Sequence, residues 1–384
     1  MVHPADIPLA AYIHWPWCLA KCPYCDFNSH PLPGVDRRAA ARESYVQALL
    51  TDVQQQRDLA RDRSIRTVFL GGGTPSLFTP EEIARVLTGL RSHFDVAVDA
   101  EITMEINPGA LERGGLAGYR EAGVNRVSFG AQSFDPTVLK RLGRLHGPEE
   151  TNDAVRQAKA AGFERINVDV MHGLPGQTLD SAESDVRSAL ALGTDHISYY
   201  QLTLEPNTRF HAFPPELPEE SVLADIADAG GRLLTDAGFG SYEVSAWAEP
   251  GAQCQHNLNY WLFGDYLAFG AGAHGKLTTS AGVHRYVRPV HPRSYTAEVS
   301  APIRFDAIDP STLPFEFLLN SLRLTDGFTE ADFEARTGLA IQCVLPALEN
   351  ARTEGLIAHP SVGRWAPTAF GRRFLNDLQA RFLP

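Results

Sequence analysis

Long apolar runs are missing from this chain: nowhere do about 18 apolar residues follow one another, so a membrane-spanning helix is not expected. Basic charge is in deficit. Lys and Arg number 34 against 46 Asp and Glu, a formal charge of −12, which argues against general affinity for nucleic acid or anionic membranes, since both need clustered cations. The N-terminus shows no basic start followed by an apolar stretch, so no secretory signal is expected and the chain reads as cytoplasmic. Cysteine is scarce and odd in number: five in all, three of them within eight residues, with Cys254 and Cys343 standing alone. That pattern does not suggest a disulfide scaffold, and a reduced compartment with a metal site fits better.

What remains is ordinary for a globular protein, with 44% hydrophobic and 21% charged residues over 384 positions. The length suits one large α/β domain and a smaller one. The first two-thirds alternates strand-like and helix-like segments. Strands are predicted at 10–15, 67–71, 101–107, 125–132, 165–171 and 196–203. A helix is predicted near 37–60 from the spacing of Tyr45, Val46, Leu49, Leu50 and Val53, and another starts at Thr79-Pro80-Glu81-Glu82. Six strand–helix repeats imply a parallel sheet, open or rolled into a barrel.

The strands alternate where fully buried parallel strands usually do not. Ile102, Met104 and Ile106 oppose Glu101, Thr103, Glu105 and Asn107; Val127, Phe129 and Ala131 oppose Ser128, Gly130 and Gln132; Ile166, Val168 and Val170 oppose Asn167 and Asp169. Apolar faces would pack on helices and polar faces would line a shared lumen. Burying that many polar groups is costly unless something hydrogen-bonds to them, so a polar ligand inside the barrel is expected.

Cys18-Leu19-Ala20-Lys21-Cys22-Pro23-Tyr24-Cys25 follows the first strand. Three thiolates on one compact loop can hold three corners of an iron–sulfur cube, leaving one iron for an outside ligand. The alternative is a zinc site completed by His30, although zinc sites more often use paired Cys-x-x-Cys hooks and none is paired here.

This loop resembles that of the radical S-adenosylmethionine superfamily. The run from Tyr12-Ile13-His14-Trp15-Pro16-Trp17-Cys18 to Cys25-Asp26-Phe27-Asn28-Ser29 is similar to its HemN/HemW branch, which holds oxygen-independent coproporphyrinogen dehydrogenases and related heme chaperones. Gly71-Gly72-Gly73-Thr74-Pro75-Ser76, Glu105-Ile106-Asn107-Pro108, Gly130-Ala131-Gln132-Ser133-Phe134 and Gly173-Leu174-Pro175-Gly176-Gln177-Thr178 match as well. The resemblance implies a [4Fe–4S] cluster on Cys18, Cys22 and Cys25 and S-adenosylmethionine on the open iron. It implies Tyr12 and Tyr24 near the cofactor, with Gly72, Gly73 and Thr74 offering backbone groups to its methionine end. Glu105, Gln132, Arg144 and Asp169 would complete the pocket, although Arg144 could equally share a solvated helix face with Lys140 and Arg141. Radical chemistry would need a ferredoxin or flavodoxin as electron donor.

Two departures separate the two sides of the branch. The dehydrogenases typically carry a fourth cysteine two places after the third, where this chain has Phe27, and a longer N-terminal arm. His256-Asn257-Leu258-Asn259-Tyr260-Trp261 matches the H-N-x-x-Y-W heme motif of the chaperones. The resemblance therefore implies heme binding, with His256 as iron ligand and Tyr260 and Trp261 beside the porphyrin, and transfer to heme-accepting proteins; Cys254 is an alternative ligand. The expected architecture is a partial (β/α)6 barrel over 1–240, a connecting region with the heme motif over 241–305, and a winged-helix-like α+β domain over 306–384. Residues 311–384 hold 7 Arg, no Lys and 8 acidic residues, so nucleic-acid binding by the tail is not expected. Cys343, near Leu339 and Leu348, is expected in the tail's core.

Overall fold

In the computed structural model, which describes residues 3–60, 63–110 and 115–383, the predicted strands are all present. They are β1 (Leu9–Trp15), β2 (Ile65–Gly72), β3 (Val96–Ile106), β4 (Arg126–Gln132), β5 (Arg165–His172) and β6 (His196–Gln201). They lie side by side in chain order, every neighbouring pair parallel. The helix predicted near 37–60 runs over Arg38–Gln56. The one after Thr79 runs over Pro80–His93, its start fixed by a capping box in which Thr79 and Glu82 bond each other's backbone N–H.

The sheet does not end at six strands. Ala246–Ala248 and then Gly240–Glu243 add antiparallel strands beyond β6. At the opposite edge Asp265–Phe269 pairs in parallel with β1, followed by His274–Thr279, Gly282–Val287 and Asp306–Ala307. The stretch 241–305 thus contributes strands to both edges of a 12-stranded sheet. These segments are short, and in several the apolar residues run together rather than alternate, which left them without a periodic signal.

The two faces of β3, β4 and β5 sort as the alternation requires. Ile102, Met104, Ile106, Val127, Phe129, Ala131, Ile166, Val168 and Val170 join one core with Tyr45, Leu49, Val86, Leu90, Val155 and Val186 of the surrounding helices. The opposite residues bond one another in layers: Asn167 Nδ2 donates to Ser128 Oγ at 2.8 Å and to Asp169 Oδ1 at 2.7 Å.

The tail has its own core, built on Phe317, Leu318, Phe333, Leu348 and Trp365. Helices Leu313–Ser321, Glu330–Thr337 and Leu345–Thr353 accompany a three-stranded sheet in the order Phe328–Thr329, Arg364–Pro367, Ile357–Ser361, with Phe328–Thr329 placed between the first two helices and the hairpin after the third, a winged-helix-like order. Phe263 and Val283 of the large domain are part of that core. Cys343 is exposed, not buried. It ends a 3-10 turn (Ile341–Cys343), the following helix starts only at Leu345, and the helical spacing that put it inside does not apply.

One buried ionic node ties the added strands to the tail. Asp265, fully buried, accepts from Arg63 Nη1 at 2.7 Å, Lys276 Nζ at 2.9 Å and Thr278 N at 2.8 Å. Lys276 also donates to the Phe263 carbonyl at 3.0 Å and lies over the Phe263 ring. Burial pushes the Asp265 carboxyl up, but Lys276 and Arg63 outweigh it and hold it below the usual range. Such a carboxylate stabilises the fold above its unfolded pKa of about 4, and that stability is lost as pH falls through the lower folded value. Asp265→Ala strands a buried Lys276 and is expected to cost about 3–5 kcal/mol in urea unfolding at neutral pH, with a flatter acid limb in its stability profile.

Candidate functional site: a cysteine-lipped cavity above a helical plug

The three clustered cysteines sit on a loop that leaves the C-terminal end of β1 and is tied down by backbone. Gly73 N donates to Trp15 O at 2.6 Å and Thr74 N to Trp17 O at 2.8 Å. A Cβ on Gly73 would lie 2.7 Å from Trp17 O and 2.8 Å from Trp15 O, so only glycine permits this approach. Asn28 fastens the far end of the loop, donating to Ala271 O at 2.9 Å and Val290 O at 2.8 Å. Each thiol has a polar neighbour: Thr74 Oγ1 donates to Cys18 Sγ at 3.4 Å, Arg144 Nη1 to Cys22 Sγ at 3.6 Å, and Ser29 Oγ lies 3.9 Å from Cys25 Sγ. Burial nonetheless pushes the Cys18 and Cys25 thiols up.

These thiols form the lip of a cavity of about 480 Å³ enclosed by the polar strand faces. Cys18, Cys22, Cys25, Tyr24, Gly72, Gly73, Thr74, Glu105, Gln132, Arg144, Asp169 and Trp261 line it. Tyr12, His256 and Tyr260 do not. Tyr12 Oη is instead 3.0 Å from His14 Nδ1, and its ring stacks on Phe69. Arg144 is not on a solvated helix face: the helix carrying Lys140 ends at Arg141, and Arg144 Nη2 turns inward to Gly130 O at 2.7 Å. Gln132 sits at a β-bulge with φ of 71°, and Tyr200 donates to its Oε1 at 2.8 Å. A left-handed non-glycine residue at a bulge is a strained arrangement of the kind that re-aims a side chain.

The donor set suits an iron–sulfur cluster rather than zinc. Three thiols share the lip, while His30 is engaged elsewhere, its Nε2 3.0 Å from Asn28 Oδ1 and its ring against His291. Among the described residues no three His, Cys, Asp or Glu side chains close on the volume of a single ion. Deeper in, Glu105 accepts from Gly72 N at 3.0 Å. Burial, helped by Asp169 and opposed by that amide, pushes its carboxyl up to about 8. Burial also raises Asp169, against hydrogen bonds from Ser198, Asn167 and Ser128. Two carboxyls whose ionisation is suppressed by burial, facing one cavity, are prepared for a cation.

Residues 12–189 match the family model described as the radical SAM superfamily, and residues 308–374 match the HemN C-terminal domain. The heme chaperone HemW of Escherichia coli K12 is 46% identical over 98% of both chains. HemW of Haemophilus influenzae is 44% identical, again over 98% of both. This chain belongs to the HemW family of radical SAM proteins. The structure of E. coli HemN, described as a coproporphyrinogen III oxidase and radical SAM enzyme, superposes with a TM-score of 0.83 at 23% identity, covering 98% of this chain and 90% of that one. At that identity the likeness shows the fold.

In this HemW-family chain the H-N-x-x-Y-W motif forms a seven-residue helix, Gln255–Trp261, that plugs the floor of the barrel. Glu101, on the same strand face as Glu105, accepts from the backbone of Gln255 and His256 at 3.2 and 3.1 Å and from Cys254 Sγ at 3.3 Å. Helical periodicity splits the motif into two i, i+4 pairs. His256 and Tyr260 face down: His256 Nδ1 is 2.8 Å from Thr67 Oγ1, and its ring packs on Phe69 and Tyr260. Asn257 and Trp261 face the cavity. Burial holds His256 neutral, its pKa pushed down to about 3, and its Nε2 has no hydrogen-bond partner among the described residues. Burial, helped by Glu101, pushes the Cys254 thiol up to about 12, so it is no thiolate.

The sequence reading missed Glu243, Asn257 and Arg323 as cavity residues. Asn257 lay within the motif; Glu243 and Arg323 had no signal, because they reach the cavity from an edge strand and from the tail. Gly73→Ala is expected to keep the secondary structure seen by circular dichroism but to lower iron and sulfide incorporation on anaerobic reconstitution, because the loop must move away from Trp15 and Trp17.

Proposed function

We propose that this protein is a heme chaperone: it binds heme and passes it to acceptor proteins. The observation that carries this reading is the 46% identity over 98% of both chains with a protein named for that activity. Cys18, Cys22 and Cys25 would hold a [4Fe–4S] cluster, being the thiols that line the cavity among the described residues. Tyr24, Gln132 and Arg144, which line the cavity beneath, would hold S-adenosylmethionine. The amides of Gly72, Gly73 and Thr74 are already engaged by Glu105, Trp15 and Trp17, and the Thr74 carbonyl accepts from Leu77 N, so this loop would offer the carbonyl oxygens of its glycines to the cofactor's ammonium. Glu105 and Asp169 provide negative charge as the cation enters. One-electron reduction of the cofactor is the chemistry the cluster supplies when bound, and it calls for a small donor protein of the ferredoxin or flavodoxin type. No helix among the described residues is long and apolar enough to cross a membrane. We assign the protein to the cytoplasm, where thiols such as these stay reduced.

His256 is the proposed iron ligand through Nε2. That atom is buried in the floor, so ligation requires the Gln255–Trp261 helix to turn or withdraw. Phe27, half-exposed at the cavity rim in place of a fourth cysteine, weighs against coproporphyrinogen decarboxylation. The deciding experiment reconstitutes the cluster anaerobically, titrates hemin, and assays decarboxylation with S-adenosylmethionine and reductant. Stable heme binding without decarboxylation is expected, with His256→Ala weakening binding about tenfold or more, roughly 1.4 kcal/mol per decade. Clear decarboxylation overturns the chaperone reading.

Glu105 generates a separate prediction. With a pKa of about 8 in the free protein it is largely protonated at pH 7, and a cation beside it lowers that value. Binding of S-adenosylmethionine is therefore expected to release protons and to tighten as pH rises from 7 to 8. Calorimetry in buffers of different ionisation enthalpy measures the release, and Glu105→Gln is expected to reduce it, with any remainder assigned to Asp169.

A further inference from the structure

We propose that Arg323 and the indole N–H of Trp261 form a carboxylate-binding point for the propionate side chains of the tetrapyrrole cargo. This rests on the heme-chaperone reading but not on ligation by His256, since it takes the Gln255–Trp261 helix where it lies here, and it adds a specificity-determining residue supplied by the tail.

Among the described residues two cations line the cavity, Arg144 and Arg323. Arg144 stands at the cysteine end, where Nη1 donates to Cys22 Sγ and Nη2 to the Gly130 carbonyl, with Nε alone lacking a partner among the described residues. Arg323 stands at the other end, beside the motif helix. It enters from the tail just after the helix Leu313–Ser321, and its segment is pinned to the large domain: Thr325 N donates to Tyr242 O at 3.0 Å, and Leu324 bridges to Glu243. The guanidinium lies over the Trp261 ring with Cζ 4.3 Å from its centroid, and Nη2 is 3.2 Å from Glu243 Oε2.

Stacking on an indole fixes the plane of a guanidinium and leaves its edges to donate. Glu243 takes one edge and is itself held by Ser245 N at 3.0 Å. Arg323 Nε and Trp261 Nε1 are both buried with no hydrogen-bond partner among the described residues. Buried N–H groups are rarely left without an acceptor; Arg323 and Trp261 both line the cavity, so a turn of each side chain toward it would offer the two N–H groups to a group with two acceptor oxygens. Heme carries such groups in its propionates, and the same helix face bears Asn257. Glu243 is then the internal competitor: it neutralises the guanidinium while the site is free and weakens its hold on an incoming carboxylate.

The test compares hemin with hemin dimethyl ester, whose propionates are blocked, by Soret titration of the full chain. Wild type is expected to bind hemin more tightly than the ester. Arg323→Ala should weaken hemin binding about tenfold or more and leave the ester unchanged, Arg323→Lys should recover part of the loss, and Glu243→Gln should tighten hemin. Equal affinity of wild type for both cargoes overturns the inference even where Arg323→Ala does not fold. Equal weakening of both by Arg323→Ala, or of neither, also overturns it. Loss of S-adenosylmethionine affinity in Arg323→Ala with hemin affinity intact assigns the donors to that cofactor's carboxylate, again overturning it. Failure of wild type to bind hemin at all overturns the chaperone reading instead, and this inference with it.

Discussion

Two main-chain hydrogen bonds hold the functional end of this protein together: Gly73 N to Trp15 O and Thr74 N to Trp17 O. They lock the loop after the second barrel strand against the chain entering the cysteine loop. The absence of a side chain at Gly73 lets the two backbones approach. The opposite side of the loop is held by Asn28, which reaches strand connections at 271 and 290 far along the chain. Those connections rest on a buried network in which Asp52 accepts from Tyr295 and Gly270 N and pairs with Arg288. The cysteine lip is thus anchored through strands that continue the sheet past the first barrel strand.

The polar inner face of the sheet does two jobs at two heights. On the strand Val96–Ile106, Glu101 caps the motif helix at the floor, while Glu105, one strand repeat pair above, faces the cavity. Between them the chain Asn167–His196–Tyr242–Asn257 carries hydrogen bonds from the strand layers to the plug, with His196 Nδ1 2.6 Å from Asn167 Oδ1 and Nε2 3.0 Å from Tyr242 Oη. Satisfied networks of this kind are what make a buried polar face tolerable. The floor and the cavity wall are therefore one hydrogen-bonded body.

The tail closes the same body from outside. Phe317 packs on Phe263, which directly follows the motif helix, and Arg323 covers Trp261. The Gln255–Trp261 helix is held between the sheet and the tail, so both contribute side chains to the cavity and do not merely adjoin.

Sequence alone determined the barrel strands, the helices at Tyr45–Val53 and after Thr79, and the cysteine loop. Alternation, helical spacing and thiol spacing are local properties that survive without coordinates. It also marked the inner-face residues Glu105, Gln132 and Asp169, because a two-residue period fixes which side chains point together. Only the tertiary structure decided that His256 and Tyr260 turn away from the cavity while Asn257 and Trp261 turn toward it. A motif read as a string has no faces until its helix is docked. Arg323 and Glu243 were invisible for the same reason: they meet across 80 residues of chain and two domains, and no local pattern encodes a contact whose partners come together only when the tail folds onto the sheet edge.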